Sequence, residues 1–171
     1  MSFSNYKEEE ENVITKKLHE LATQGCSEMS RGMDSTSTHE EIVEMYEKIP
    51  EKERTGEQTR CAVAALILFK EMDYARLLLD KWQNIGKDDV QWNLQYGWTY
   101  YLEQNYKETI PYLDRVEDLS PRDTTMLTYL QECNEQVGNK EEVKRLKSRI
   151  REINNYGRSR ENFKKENYYN K

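Results

Sequence analysis

The stretch VQWNLQYGWTYYLEQNYKETIPYLDRVEDLSPRD, residues 90–123, decides how the chain is to be read. Leu94, Trp98, Tyr101 and Leu102 recur at three- and four-residue steps, and Ile110, Leu113, Val116 and Leu119 at three-residue steps. That spacing belongs to helices rather than strands. The polar segment Glu103-Gln104-Asn105 separates the two runs, and Pro121 closes the second. The block therefore reads as two helices joined by a tight turn. Pro111 falls past the first turn of the second helix, where it removes one backbone hydrogen bond and bends the axis.

Outward from this block the same punctuation recurs. Thr38 to Glu41, Thr55 to Gln58, Asp88 to Gln91, Asn105 to Glu108 and Asn139 to Glu142 all have the three-residue spacing of a capping box. Gly25, Pro50, Gly86, Pro121 and Gly138 each follow a run of helical periodicity and read as stops. The spacing predicts helices near 6–24, 39–49, 56–70, 74–85, 90–104, 107–119, 124–137 and 140–155. Residues 26–37 (CSEMSRGMDSTS) are small and polar without periodicity, so they read as a loop. Residues 156–171 (YGRSRENFKKENYYNK) have no apolar face and are expected to form a flexible basic tail. The expected organisation is an N-terminal helix and loop over 1–37, a helical repeat domain over 38–155, and the tail.

Sliding the chain against itself by 34 residues aligns Leu66 with Tyr100, Leu79 with Leu113, Trp82 with Val116 and Ile85 with Leu119. A further step of the same length sets Tyr96 against Leu130, Asn105 against Asn139, Thr109 against Val143 and Val116 against Ile150. A period of this size marks stacked helix pairs, each burying its apolar stripe against a neighbour.

Residues 90–123 resemble a tetratricopeptide repeat. The resemblance rests on Gly97 at the close approach of the helices, Tyr100 one turn on, and Tyr106 at the turn. Ile110, Tyr112, Leu113, Val116 and Leu119 match the buried face of the second helix, and Pro121 the closing proline. Departures are Thr109 in place of the usual Ala, and Trp92 one place early with Asn93 in its slot. Residues 56–89 match more weakly, through Ala62, Leu66, Ala75, Leu79 and Trp82, with Val63 where Gly is expected. Residues 124–157 match least, through Leu130, Gly138, Val143 and Ile150, with Asn134 at an aromatic position. Residues 39–50 (Ile42, Val43, Tyr46, Ile49, Pro50) are similar to the second helix of a preceding unit. The resemblance implies an all-α fold, a short right-handed superhelix of antiparallel helix pairs whose first helices line a concave groove.

Composition agrees with that class. Hydrophobic residues are 36% and charged residues 34% of the 171, against roughly 45–50% and 25% in an average domain. Only 7 Gly and 3 Pro are present, too few for an all-β chain with a turn every few residues. A net charge of −6 and a pI near 5.2 argue against a nucleic-acid partner. The charge is uneven: residues 1–123 carry 15 basic and 25 acidic side chains, residues 124–171 carry 11 and 7. No apolar run is long enough to span a bilayer, and MSFSNYKEEEEN lacks the features of a secretory signal. No membrane association and a cytoplasmic location are expected. Cys26, Cys61 and Cys133 are odd in number and far apart, and read as small apolar residues.

Residues for chemistry are missing from the pattern. His19 and His39 read as lying on a polar helix face or at a cap, with no paired Cys or His spacing to hold a metal. There is no G-x-G-x-x-G, P-loop or G-x-S-x-G. Carboxylates fall at caps or in runs such as Glu8–Glu11, where solvent is the default, so a shifted general acid is not indicated. No enzyme, metal or cofactor is expected.

The remaining signal is aromatic. Trp92, Tyr96, Trp98, Tyr100, Tyr101, Tyr106 and Tyr112 crowd into 21 residues. By the resemblance, Tyr96 and Tyr100 pack inside the unit, while Leu94, Trp98, Tyr101 and Leu102 line the groove with Arg60, Ile67, Gln91, Thr128 and Glu132. Tetratricopeptide domains that clamp a C-terminal carboxylate use Lys and Asn at first-helix positions occupied here by Arg60, Ala64, Thr125 and Tyr129, so that role is excluded. The expected function is non-catalytic binding of a protein or peptide partner through the groove, by a monomer or homodimer. Trp and Tyr favour such a role because they dominate binding hot spots. An immunity protein that occludes a toxin, and a peptide-sensing regulatory domain, remain alternatives. A basic partner would be drawn by the acidic front of the chain. Whether the N-terminal helix or the tail covers the groove stays open at this level.

Overall fold

The computed structural model describes the backbone of residues 3–169 and the side chains of residues 13–83 and 86–156. Every regular element among them is helical: α1 (Phe3–Ser30), α2 (Thr36–Lys48), a 3-10 turn (Glu51–Glu53), α3 (Gly56–Leu68), α4 (Met72–Lys81), α5 (Gln83–Gly86), α6 (Val90–Leu102), α7 (Tyr106–Leu119), α8 (Thr124–Gln136) and α9 (Lys140–Tyr169). The chain forms two compact units, Met1–Lys87 and Asp88–Lys171.

A repeated backbone device sets the pairs. Among the described residues, four adopt positive φ: Gly32 (68°), Lys70 (63°), Gln104 (60°) and Gly138 (79°). Each ends the first helix of a pair with the same two hydrogen bonds. In the first, Gly32 N–H donates to Met29 O and Met33 N–H reaches back to Glu28 O. Lys70 and Glu71, Gln104 and Asn105, and Gly138 and Asn139 repeat this onto Ile67 and Leu66, Tyr101 and Tyr100, and Glu135 and Asn134. This is the Schellman stop, which satisfies carbonyls left over at a helix end and reverses the chain. Positions 70, 104 and 138 are 34 apart, so the period read from side chains is also the period of the backbone stops.

In the N-terminal unit, α1 packs on α2 and α3, and α3 packs on α2 and α4. Leu18 and Leu21 from α1 join Ile42 and Tyr46 from α2, Ala62, Val63 and Leu66 from α3, and Ala75, Leu78 and Leu79 from α4 as buried residues. Burial of each large aliphatic side chain is worth about 1.5–3 kcal/mol. Thr55 caps α3 as expected: its hydroxyl accepts from Gln58 N–H, and the Gln58 side chain returns to Thr55 N–H.

The first two helices differ from what their sequence suggests. α1 runs on to Ser30 through residues assigned to a loop, because Glu28 accepts a hydrogen bond from Thr38 Oγ1 at 2.8 Å and another from Gln24 Nε2 at 2.8 Å. Thr38 therefore ties α2 to α1 instead of capping α2, whose N-cap is Ser35. Gly25 is not a stop. It lies within α1, and a Cβ there would come 2.7 Å from His39 Nε2. His39 is buried, at 4% exposure, and edge-on to Phe69, whereas His19 is exposed and meets Glu57 Oε1 at 2.6 Å.

In the C-terminal unit, α6 packs on α7, α7 on α8 and α8 on α9. Leu113, Leu127, Leu130, Cys133 and Leu146 form one buried cluster. Asp89, not Asp88, caps α6 by accepting from Trp92 N–H at 2.8 Å. Asp123 caps α8 through Thr125 and Met126. The departures from the repeat pattern are accommodated locally. Thr109 is fully buried with its hydroxyl on Asn105 O at 3.0 Å, and Asn93 donates to Asp89 O at 2.8 Å. Asn134 donates to Leu130 O and accepts from Asn139 Nδ2. Pro111 sits inside α7 on the exposed side. The helix expected over 140–155 continues as α9 to Tyr169; the side chains of residues 157–171 lie outside the described ones.

Candidate functional site: an aromatic face on α6 and α8

Helix α6 carries two aromatic sets that point in different directions, as residues two apart must at 100° per residue. Tyr96 and Tyr100 turn to α7, where Tyr112 stacks on Tyr96 at 4.5 Å and lies 6.0 Å from Tyr100. Trp92 completes that group, 5.0 Å from Tyr96. Gly97 permits the approach of the helices: a Cβ there would lie 3.4 Å from both Leu113 Cδ2 and Tyr112 Cβ.

The second set turns to α8. Trp98 meets Tyr129 edge-on at 4.6 Å and Tyr101 at 5.0 Å, and Tyr101 meets Tyr129 at 5.4 Å. Tyr101 donates its hydroxyl to Glu132 Oε2 at 2.9 Å. Burial, then that hydrogen bond and the Glu132 charge, push the Tyr101 phenol far above its ordinary pKa, so it stays a donor. Cys133 behind it is pushed up to about 11, chiefly by burial and then by Glu132. These are the opposite of the conditions that activate a thiolate.

Trp98, Tyr101 and Tyr129 are each half-buried. With Gly97, Thr109 and Leu113 they meet in a crevice with no room for a water molecule. The rings fill their own gaps and present a surface instead of a pocket.

The expected site residues divide accordingly. Trp98, Tyr101 and Glu132 come together. Gln91, Leu102 and Thr128 are exposed, with Leu102 at 50%, while Leu94 packs against the buried cluster. Ile67 is buried at 9% exposure and Arg60 half-buried, both on α3 of the other unit. Tyr129, named from the sequence only as an uncharged residue at a clamp position, joins Trp98 and Tyr101 in this cluster. Its signal was available: it lies beside Thr128 and one turn before Glu132.

The described part of the chain has an all-α fold of the tetratricopeptide-like type. Solved structures of MamA share this helical repeat. The structure titled "MamA RS-1 ArsTM double mutant" matches with a TM-score of 0.65 at 15% identity, over 82% of this chain and 76% of that one. "MamA MSR-1 C2" matches at 0.61 and 18%, over 80% and 76%. A fragment of MamA from Desulfovibrio magneticus RS-1 matches at 0.57 and 17%, over 83% and 76%. At these identities the likeness is one of fold. No family model and no curated protein matches the sequence. No helix among the described residues is long and apolar enough to cross a membrane.

Proposed function

We propose that this is a non-catalytic binding module that holds a protein partner against the α6–α8 face, with Trp98, Tyr101 and Tyr129 at the centre and Gln91, Leu102 and Thr128 around them. The observation that carries this reading is the half-buried Trp98–Tyr101–Tyr129 cluster backed by the half-buried Tyr101–Glu132 hydrogen bond. Large rings held rigid from behind lose little conformational freedom on binding, the property that makes aromatic anchors effective. The lack of internal room favours a macromolecular surface over a small molecule. The net charge of −6 favours a basic partner and faster encounter through the field of the whole chain, since the unit that bears this face carries only −1, 14 Lys/Arg against 15 Asp/Glu. A cytoplasmic setting is part of the same proposal.

The test is site-specific photo-crosslinking in the native cell, from Leu102 and Thr128, with Leu77 on α4 as a control of similar exposure (53%). One discrete adduct from Leu102 and Thr128, and none from Leu77, is expected. The same adducts from all three positions would contradict the assignment of the face.

A further inference from the structure

An open cavity of about 310 Å³ lies in the N-terminal unit, lined by Tyr46, Glu51, Arg54, Lys81 and Trp82. The interaction face proposed above makes no use of it. Its lining combines two cations with two aromatic rings, a mixture that packing alone does not require.

Arg54 is the fixed member. Its Nε donates to Ile49 O at 3.0 Å and its Nη2 to Glu47 O at 3.3 Å, and its guanidinium lies over the Tyr46 ring at 4.5 Å. Tyr46 cannot move away: it is 2% exposed, and its hydroxyl shares a hydrogen bond with Thr59 Oγ1 at 3.0 Å. Carbonyls are neutral acceptors, so these bonds orient the guanidinium plane, and the carboxylate that acts on its charge is Glu51, itself hydrogen-bonded to Lys81. Trp82 supplies an apolar wall at the end of α4, with Gly56 against its ring, where a Cβ would lie 3.5 Å away. Lys81 is the adjustable member, 44% exposed and paired with Glu51 at 2.6 Å.

We infer that this cavity binds a small aromatic oxyanion, a flat ring bearing a carboxylate or a phosphate, with the ring on Trp82 and the oxygens between Arg54 and Lys81. A cavity of this size is at the lower end of ligand pockets, which run from about 300 to 1,000 Å³. It suits a single substituted ring. The unit as a whole carries 12 Lys/Arg against 17 Asp/Glu. Diffuse attraction of anions is therefore excluded, and saturable binding here reports the local Arg54–Lys81 pair. Glu51 competes with the ligand for Lys81, so the charge on Glu51 tunes affinity.

The experiment is an NMR titration of the indole N–H signals of the full chain with 4-hydroxybenzoate, phenyl phosphate and, as the uncharged control, benzamide. A saturable shift of the Trp82 indole with one or both oxyanions, and none with benzamide, is expected; which of the two binds identifies the headgroup. Glu51→Gln should tighten binding and Lys81→Gln weaken it, each by about 2–5-fold, the size an exposed charge pair carries. Both positions are exposed enough for the fold to survive the change. No saturation below about 10 mM, equal binding of benzamide, a shift centred on Trp98, or the two variants acting in the other sense would overturn the inference.

Discussion

Tyr96 and Tyr112 stack face to face, 4.5 Å between ring centroids and 10° between planes, and so lock α6 onto α7. Two residues further along α6, Trp98 points to α8 instead. One short helix thus separates its packing rings from its presented rings, and the account of function depends on that separation.

The close approach of these helices depends on Gly97. With only 3.4 Å from its Cβ position to Leu113 and Tyr112, alanine fits with a small adjustment, but a leucine has no space. Gly97→Ala is expected to change stability by less than about 1 kcal/mol, and Gly97→Leu to cost about 1–3 kcal/mol. Urea unfolding of both variants checks this; equal cost would contradict the packing.

The repeated stops predict substitutions of opposite sign. Gln104 holds a φ of 60° with a side chain that disfavours it, whereas Gly138 holds 79° at no steric cost. Gln104→Gly is expected to raise stability by a few tenths to about 1 kcal/mol, relief of left-handed strain outweighing the added chain entropy. Gly138→Ala, although nothing crowds a Cβ there, should lose about 1 kcal/mol. Thermal melts moving in the same direction would show that the two stops are not equivalent.

Gly25 answers to a side chain and not to backbone conformation. An added methyl would come 2.7 Å from the buried His39 ring, so Gly25→Ala is expected to destabilise by about 1–3 kcal/mol. Combining it with His39→Ala should recover part of that loss. A double variant that is merely additive would contradict direct contact.

Asp114 gives a pH-dependent prediction. Although it reaches solvent, its carboxyl is pushed up to about 6, first by partial burial and then by Glu142 and Glu117, with Arg145 opposing. The folded state therefore binds this proton more tightly than the unfolded chain, whose Asp titrates near 3.8. Between these values stability falls as pH rises, because the native state must give up a proton it favours. Asp114→Asn is expected to melt about 1 °C or more above wild type at pH 7. The difference should close below pH 4, and a pH-independent offset would contradict it.

The fold was legible because its period is written twice, in apolar side chains such as Leu79 and Leu113 and in the turns at 70, 104 and 138. What misled was local chemistry with two readings. Gly25 has the identity of a stop, but its context is a neighbouring ring. Thr38 followed by Glu41 has capping spacing, yet Thr38 bonds to Glu28 and Gln24 of α1, partners that only tertiary structure supplies. Residues 26–30 lack periodicity because few of them face the core, not because they leave the helix. The 100° steps along α6 separate Trp98 from Tyr96 and Tyr100, and the resemblance to a tetratricopeptide repeat supplied which of the two faces looks outward. The Glu132 bond to Tyr101 and the central place of Tyr129 needed α8 to be positioned.

The central claim is that Trp98 serves binding while Tyr96 serves packing. The decisive measurement is the affinity of Trp98→Ala and Tyr96→Ala for the partner captured by crosslinking, each paired with its own melt. Tyr96→Ala, which removes a ring 6% exposed, should cost about 3–5 kcal/mol of stability. Trp98→Ala should cost less than half of that and weaken binding about tenfold or more, as a hot-spot tryptophan does. Partner affinity unchanged by Trp98→Ala in a folded protein would contradict the account.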